Sequence, residues 1–183
     1  VREFFAAMLV SQASRQLKQL RIQSMLSIRA HKGFSLIELL IVVAIIGIIA
    51  AIAVPNLLAS RRAANEGSAQ SSLRTISTCE ATYQATSGLG DYGDLAALGT
   101  ATLTDQVLAS GVKSGYSFAA NPTAAGVRPA LFYATAVPTI TSGVSQTGTR
   151  RFGVAEDGVL HGDSNLVVYP NEAALKASTT LGN

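Results

Sequence analysis

The chain has 183 residues, 48% of them apolar, with a formal charge of +3, two distant histidines (His31, His161) and one cysteine, Cys79. That length suits one domain plus an anchor rather than two cores, and the cysteine and histidine counts leave neither an intramolecular disulfide nor a zinc constellation. Six basic residues and Glu3 precede Phe34, giving +5, whereas eight basic and ten acidic residues follow, giving −2; nucleic acid is not the expected partner, because its binding surfaces gather Lys and Arg on one face.

The first element in chain order is this basic front, and the second is its opposite. Phe34 to Val54 is a run of 21 residues with a single charge, Glu38. As a helix it spans about 32 Å, enough for a bilayer core. Arg29 and Lys32 stand just before it, the positive-inside pattern of a cytoplasmic N-terminus, which sends the remainder across the membrane. The alternative is a buried helix of a soluble domain, but such a helix usually keeps a polar stripe, and Leu39 to Val54 has none. A secretory signal would have a shorter apolar core followed by a small-x-small cleavage site.

Gly47 is a weak point inside the apolar run, and Pro55 closes it. Proline removes one backbone hydrogen bond, so Pro55 is expected to kink the helix rather than end it. Beyond it, Leu58, Ala69, Leu73, Ile76 and Tyr83 recur at helical spacings, an amphipathic pattern with one face on a small domain. Gly88 and Gly90 in "SGLGDYGD" end it. One long helix from Phe34 to about Thr86 is predicted, its first half in the bilayer and its second half, 56–86, packed on a sheet.

Residues 87–114 form a connection with short helical hints, "DLAALG" and "TDQVLASG". Candidate strands follow at Tyr116–Ala120, Ala130–Val137, Arg151–Ala155, Val159–His161 and Leu166–Tyr169, separated by turn-rich spacers such as "NPTAAG" and "GDSN". "EDG" between two short apolar runs is a hairpin signal. Strands at hairpin-sized gaps imply an antiparallel sheet with one face open to the helix. The expected class is α+β.

"KGFSLIELLIVVAIIGIIAAIAVPN" resembles the N-terminal signature of type IV pilins and of the related type II secretion pseudopilins. The resemblance covers about 25 residues and is highly specific. It implies a cut by a membrane-embedded prepilin peptidase between Gly33 and Phe34, N-methylation of Phe34, and a role for Glu38, which stands where the family keeps its glutamate. Cutting after Gly33 creates a cationic amine in the apolar layer. In a staggered helix bundle, Glu38 of one subunit would meet the amine of another, since each charge is costly to bury alone. The other reading is that Glu38 snorkels to the membrane interface. "SGYSF…FYATAVP…TRRFGVAEDGVL" looks, more loosely, like the strand succession of pilin-like globular domains. The leader of residues 1–33 is long for this family. "MLSIRAHKG" would be a conventional leader if translation starts at Met25, while "SRQLKQLRIQSML" can also be drawn as a basic amphipathic helix lying on a membrane.

The family resemblance implies a location in the bacterial inner membrane, single-pass, followed by an extracellular filament or a periplasmic pseudopilus. The implied partners are identical or related subunits, the peptidase, an inner-membrane assembly platform with its ATPase, and the lipid bilayer before assembly. A single-span anchored binding protein without processing is a third reading. Many pilins close the C-terminal region with a disulfide, which this chain cannot form. Major pseudopilins hold calcium there, and Glu156, Asp157, Asp163 and Glu172 are the acids available, though without EF-hand spacing. No cofactor is implied. No nucleophile motif or phosphate loop emerges, and "GLGDYG" does not follow a strand and open a helix, so no enzymatic activity is expected. His161 reads as a surface or packing residue. Arg61–Arg62 and Arg150–Arg151 read as solvated or subunit-contacting pairs, and the eight aromatic residues from Tyr83 to Tyr169 as core.

Overall fold

The structure, a computed structural model, describes residues 33–181. The basic leader, Met25 and the Arg29–Lys32 flank lie outside the described residues. The chain divides into two units, one ending at Ile48 and one beginning at Ile49.

Helix α1 spans Leu36–Ala85, close to the predicted limits. Its residues in the first unit are exposed and almost wholly apolar. Pro55 stands inside it without ending it. In the second unit the buried positions are Ala69, Ser72, Leu73, Ile76, Cys79 and Glu80, spaced three and four apart as one face of a 3.6-residue helix requires. The predicted Leu58 and Tyr83 are half-buried. α1 stops where the Gly88 and Gly90 amides donate back to the carbonyls of Tyr83 and Gln84, at 2.7 and 2.9 Å. Leu89 and Gly90 there have φ of +50° and +96°, a left-handed conformation that suits glycine and ends helices.

The helical hints in the connection become α2 (Leu95–Thr100) and α3 (Gln106–Ala109), each started by an aspartate whose side chain accepts from a backbone N–H, Asp94 from Ala97 and Asp105 from Leu108. The sheet is a five-stranded antiparallel meander in the order β1 (Val112–Lys113), β2 (Tyr116–Pro122), β3 (Phe132–Pro138), β4 (Arg151–Ala155) and β5 (Leu160–Asp163). A short α4 (Glu172–Lys176) follows, capped by Asn171. Leu73 and Ile76 share the main core with Leu98, Leu108, Tyr116, Phe118, Phe132, Phe152 and Leu160. Burying a side chain of this size is worth about 1.5–3 kcal/mol. Asn65 donates to the Thr147 carbonyl and Glu66 accepts from the Thr149 N–H and hydroxyl, so α1 also holds the β3–β4 loop.

Two expectations need correction. Leu166–Tyr169 is not a strand: Val167 and Val168 are exposed, and only Tyr169 turns inward, to a second cluster with Ala155 and Leu175. The Asp163 and Asn165 side chains accept from the N–H groups of Asn165 and Val167, and these local turns replace ladder pairing. The Arg150–Arg151 pair is not uniformly at the surface, because Arg151 is 8% exposed. β1 and α4, which the pattern did not predict, also belong to the fold.

Candidate assembly site

Gly33, Phe34 and Ser35 precede the first turn of α1, and all three are exposed. A Cβ built on Gly33 would meet no neighbouring atom within 4 Å. The Gly33–Phe34 peptide thus lies in non-helical, open backbone. Glu38 sits in the first turn of α1, where the positive end of the helix dipole favours an acid. It is exposed and takes part in no ion pair among the described residues.

Around that single acid the surface is hydrocarbon. Fifteen large apolar side chains between Phe34 and Leu57 are exposed, from Leu36 at 80% to Val42 at 44%. A helix apolar on every side has no solvated face to present, and exposed apolar surface of this extent marks a membrane or protein contact. At about 25 cal/mol per Å² the segment carries on the order of ten or more kcal/mol of burial free energy that the chain alone does not realise. Among the described residues, α1 is the one helix long and apolar enough to cross a membrane.

The acids considered for calcium have other partners. Asp163 takes both arms of the Arg151 fork at 2.8 Å, Lys176 lies between Glu156 and Glu172, and Asp157 accepts from the Val159 amide. Among the described residues no group of three or more His, Cys, Asp or Glu side chains is placed to hold a metal. Arg151 also donates to the Val167 carbonyl and lies 3.7 Å from the centroid of the Tyr169 ring. The Arg151 hydrogen bonds hold the Asp163 carboxyl below its ordinary value, against a partial desolvation. His161 is buried, with Nδ1 3.1 Å from the Ser178 carbonyl, the packing rather than the surface alternative. Cys79 is buried, its Sγ donates to the Leu103 carbonyl, and desolvation followed by the Glu80 charge pushes the thiol up; such a thiol is poorly reactive.

Sequence reasoning passed over Glu80. It is fully buried, its Oε2 accepts from the Gly93 amide at 3.0 Å, and its Oε1 has no partner. One signal was available, since Glu80 falls on the same helical stripe as Leu73 and Ile76.

Comparisons with known proteins agree with the N-terminal reading. The family model described as the prokaryotic N-terminal methylation motif matches residues 28–54. The type IV wide pilus major component PilA4 of Thermus thermophilus is 66% identical over 38 residues, which are 21% of this chain and 29% of that protein. The type IV major pilin protein PilA of Myxococcus xanthus is 43% identical over 53 residues, 29% of this chain and 24% of that protein. The matched segment thus spans less than a third of either relative, and no solved structure matches the chain. Over its N-terminal segment, then, the chain carries the prokaryotic N-terminal methylation motif and is similar to two type IV pilus components, and among the described residues that segment is an exposed apolar helix with one acid in its first turn.

Proposed function

We propose that the chain is a structural subunit of a type IV pilus-like filament, cut by a prepilin peptidase between Gly33 and Phe34 and methylated on the Phe34 nitrogen. Before assembly it waits in the inner membrane as a single-span protein with a cytoplasmic N-terminus. An assembly platform and its ATPase then move it into the filament. The observation that carries this reading is the all-round apolar surface of α1 from Leu36 to Val54, exposed throughout and carrying one charge, Glu38. In lipid that surface is solvated by acyl chains, and in a filament it is covered by the same segment of other copies. Hydrophobic burial is exchanged, and the transfer between the two states is nearly balanced on that term.

What selects one arrangement of copies is charge. The cut leaves a cationic amine at Phe34, four residues before Glu38, and neither charge is tolerable alone in hydrocarbon. Pairing Glu38 of one subunit with the amine of another favours a single axial offset, and repetition of that offset by a rotation that does not close generates an open helix. The role is structural rather than catalytic, and both matched relatives are pilus components by name.

N-terminal sequencing of filaments sheared from cells tests the reading directly. A methylated phenylalanine followed by "SLIELL" is expected. A start elsewhere, or the absence of this chain from surface filaments with a defect confined to protein secretion, would move the assignment to an unprocessed anchor or to a secretion pseudopilin.

A further inference from the structure

The second unit holds a titratable group that assembly does not use. Glu80 lies on the buried face of α1, fully inaccessible, and faces the connection that leads from the end of α1 to α2. Its Oε2 accepts from the Gly93 N–H, and its Oε1 is buried without a hydrogen-bond partner. No cation compensates it: none of the ion pairs among the described residues includes Glu80. The titratable groups around it are acids or weak acids. Cys79 adjoins it on α1, Asp94 and Tyr92 face it from the connection, and Glu156, beyond β4, acts on Tyr92. Tight packing keeps it so, because a Cβ on Gly93 would already stand 3.0 Å from the Tyr83 ring and 3.1 Å from Ala97.

We propose that Glu80 is a proton-controlled latch between α1 and the connection at residues 86–94, closed when the carboxyl is neutral and loosened when it ionises. The neutral acid keeps the Gly93 hydrogen bond without burying a charge. The carboxylate keeps the same bond but strands its charge in an apolar layer beside Asp94, and the nearest relief is for residues 91–94 to swing open to water. The other ties of this connection, Asp91 to Arg128 and to the Gly126 N–H, lie on the exposed side and do not depend on Glu80.

Desolvation, opposed by the Gly93 hydrogen bond and reinforced by the Asp94 charge, lifts the carboxyl from 4.5 to about 7. The opened segment would release the proton nearer 4.5, so the closed form binds more protons between those values. Latch stability is therefore complete below about 4.5, declines as pH rises through about 7, and is flat above.

The test is hydrogen exchange at the Gly93 amide in the full chain in detergent micelles, corrected for intrinsic exchange, between pH 5 and pH 8. Protection in the wild type is expected to fall roughly fortyfold from pH 5 to pH 7. In Glu80→Gln, which keeps the acceptor and loses the charge, it is expected to stay level. Level protection in the wild type, or an equal slope in both proteins, overturns the proposal. A second readout needs no variant: the carbon-13 shift of the Glu80 carboxyl in the wild type should titrate near neutrality, and titration below pH 5 overturns the proposal equally. Neither readout depends on filament assembly.

Discussion

Replacing Arg151 by methionine isolates what closes the C-terminal region of this fold. The guanidinium holds Asp163 through two hydrogen bonds at 2.8 Å, donates to the Val167 carbonyl, and stacks on the Tyr169 ring. Methionine keeps much of the apolar stem but leaves the Asp163 carboxylate without its cation. Breaking a buried pair from one side costs about 3–5 kcal/mol. Asp163 retains 27% of its side-chain exposure, so water recovers part of that, and a loss of about 2–3 kcal/mol is expected. At about 3 °C per kcal/mol for a unit of this size, the melting temperature should fall by about 6–9 °C. Circular dichroism of the full chain in micelles reads the shift, and hydrogen exchange over 164–181 should show the loosening concentrated there. The pH profile carries the sign. Asp163 titrates below its ordinary 3.8 in the folded chain, chiefly because Arg151 bonds it. Its contribution is thus present above that value and is lost as pH falls through the lowered one. The wild type should lose stability on acidification, and Arg151→Met should lose less. A melting temperature within 2 °C of wild type, or unchanged acid sensitivity, would refute the reasoning; a double-mutant cycle with Asp163→Asn should return a coupling of at least about 1 kcal/mol.

Glu38→Val should leave the precursor inserted and cut after Gly33 but reduce filament yield severely, read by quantifying subunits in sheared and membrane fractions; normal yield would remove the charge-pairing argument. Gly153→Ala places a Cβ against the Leu175 side chain and 3.0 Å from the Ala134 carbonyl oxygen, so a loss of about 1–3 kcal/mol is expected by thermal melting. Tyr169→Ala and Val167→Ser test the corrected strand: the buried tyrosine should cost about 3 kcal/mol or more, while the serine, at a site 69% exposed, should change stability by less than about 0.5 kcal/mol.

The helix was legible from Phe34 onward because a long apolar run with one charge has few physical readings, and Glu38 was conspicuous for the same reason. The strands expected from 116, 130, 151 and 159 were legible as short runs between turn-rich spacers, and they begin at 116, 132, 151 and 160. Leu166–Tyr169 imitated that pattern, and the imitation failed because Asp163 and Asn165 occupy the backbone donors that a ladder would need. Glu80 was passed over and Arg151 was read as solvated or subunit-contacting, and both turn out to be buried. Glu80 sits on the buried face by its spacing from Ile76, and Arg151 stands in a strand whose five residues are all buried. For both, the deciding quantity is the partner across the fold: Asp163 for Arg151, and only a backbone amide for Glu80.

The contrast between those two buried groups bears on how this domain is closed when the chain has a single cysteine. Cys79 lies on α1, buried, with its thiol on the Leu103 carbonyl, so no covalent link reaches the C-terminal segment. Directional polar contacts hold that segment instead. His161 and Thr180 form a bridge, the Gly162 amide donates to Thr179, the Leu181 amide donates to Leu160, and the Tyr169 hydroxyl lies 3.1 Å from that of Ser178. Each bond adds about 1 kcal/mol net, and Arg151 adds to them through Asp163, the Val167 carbonyl and the Tyr169 ring, since its fork satisfies a carboxylate, a carbonyl and an aromatic face together. A disulfide would constrain mainly the unfolded chain, whereas this arrangement acts in the folded state and depends on Asp163 remaining ionised. The closure therefore does not respond to reductants and fails in acid, the opposite sense to the Glu80 carboxyl, whose cost appears as pH rises. Between those limits lies the pH range in which Asp163 is ionised, Glu80 is protonated, and both closures hold.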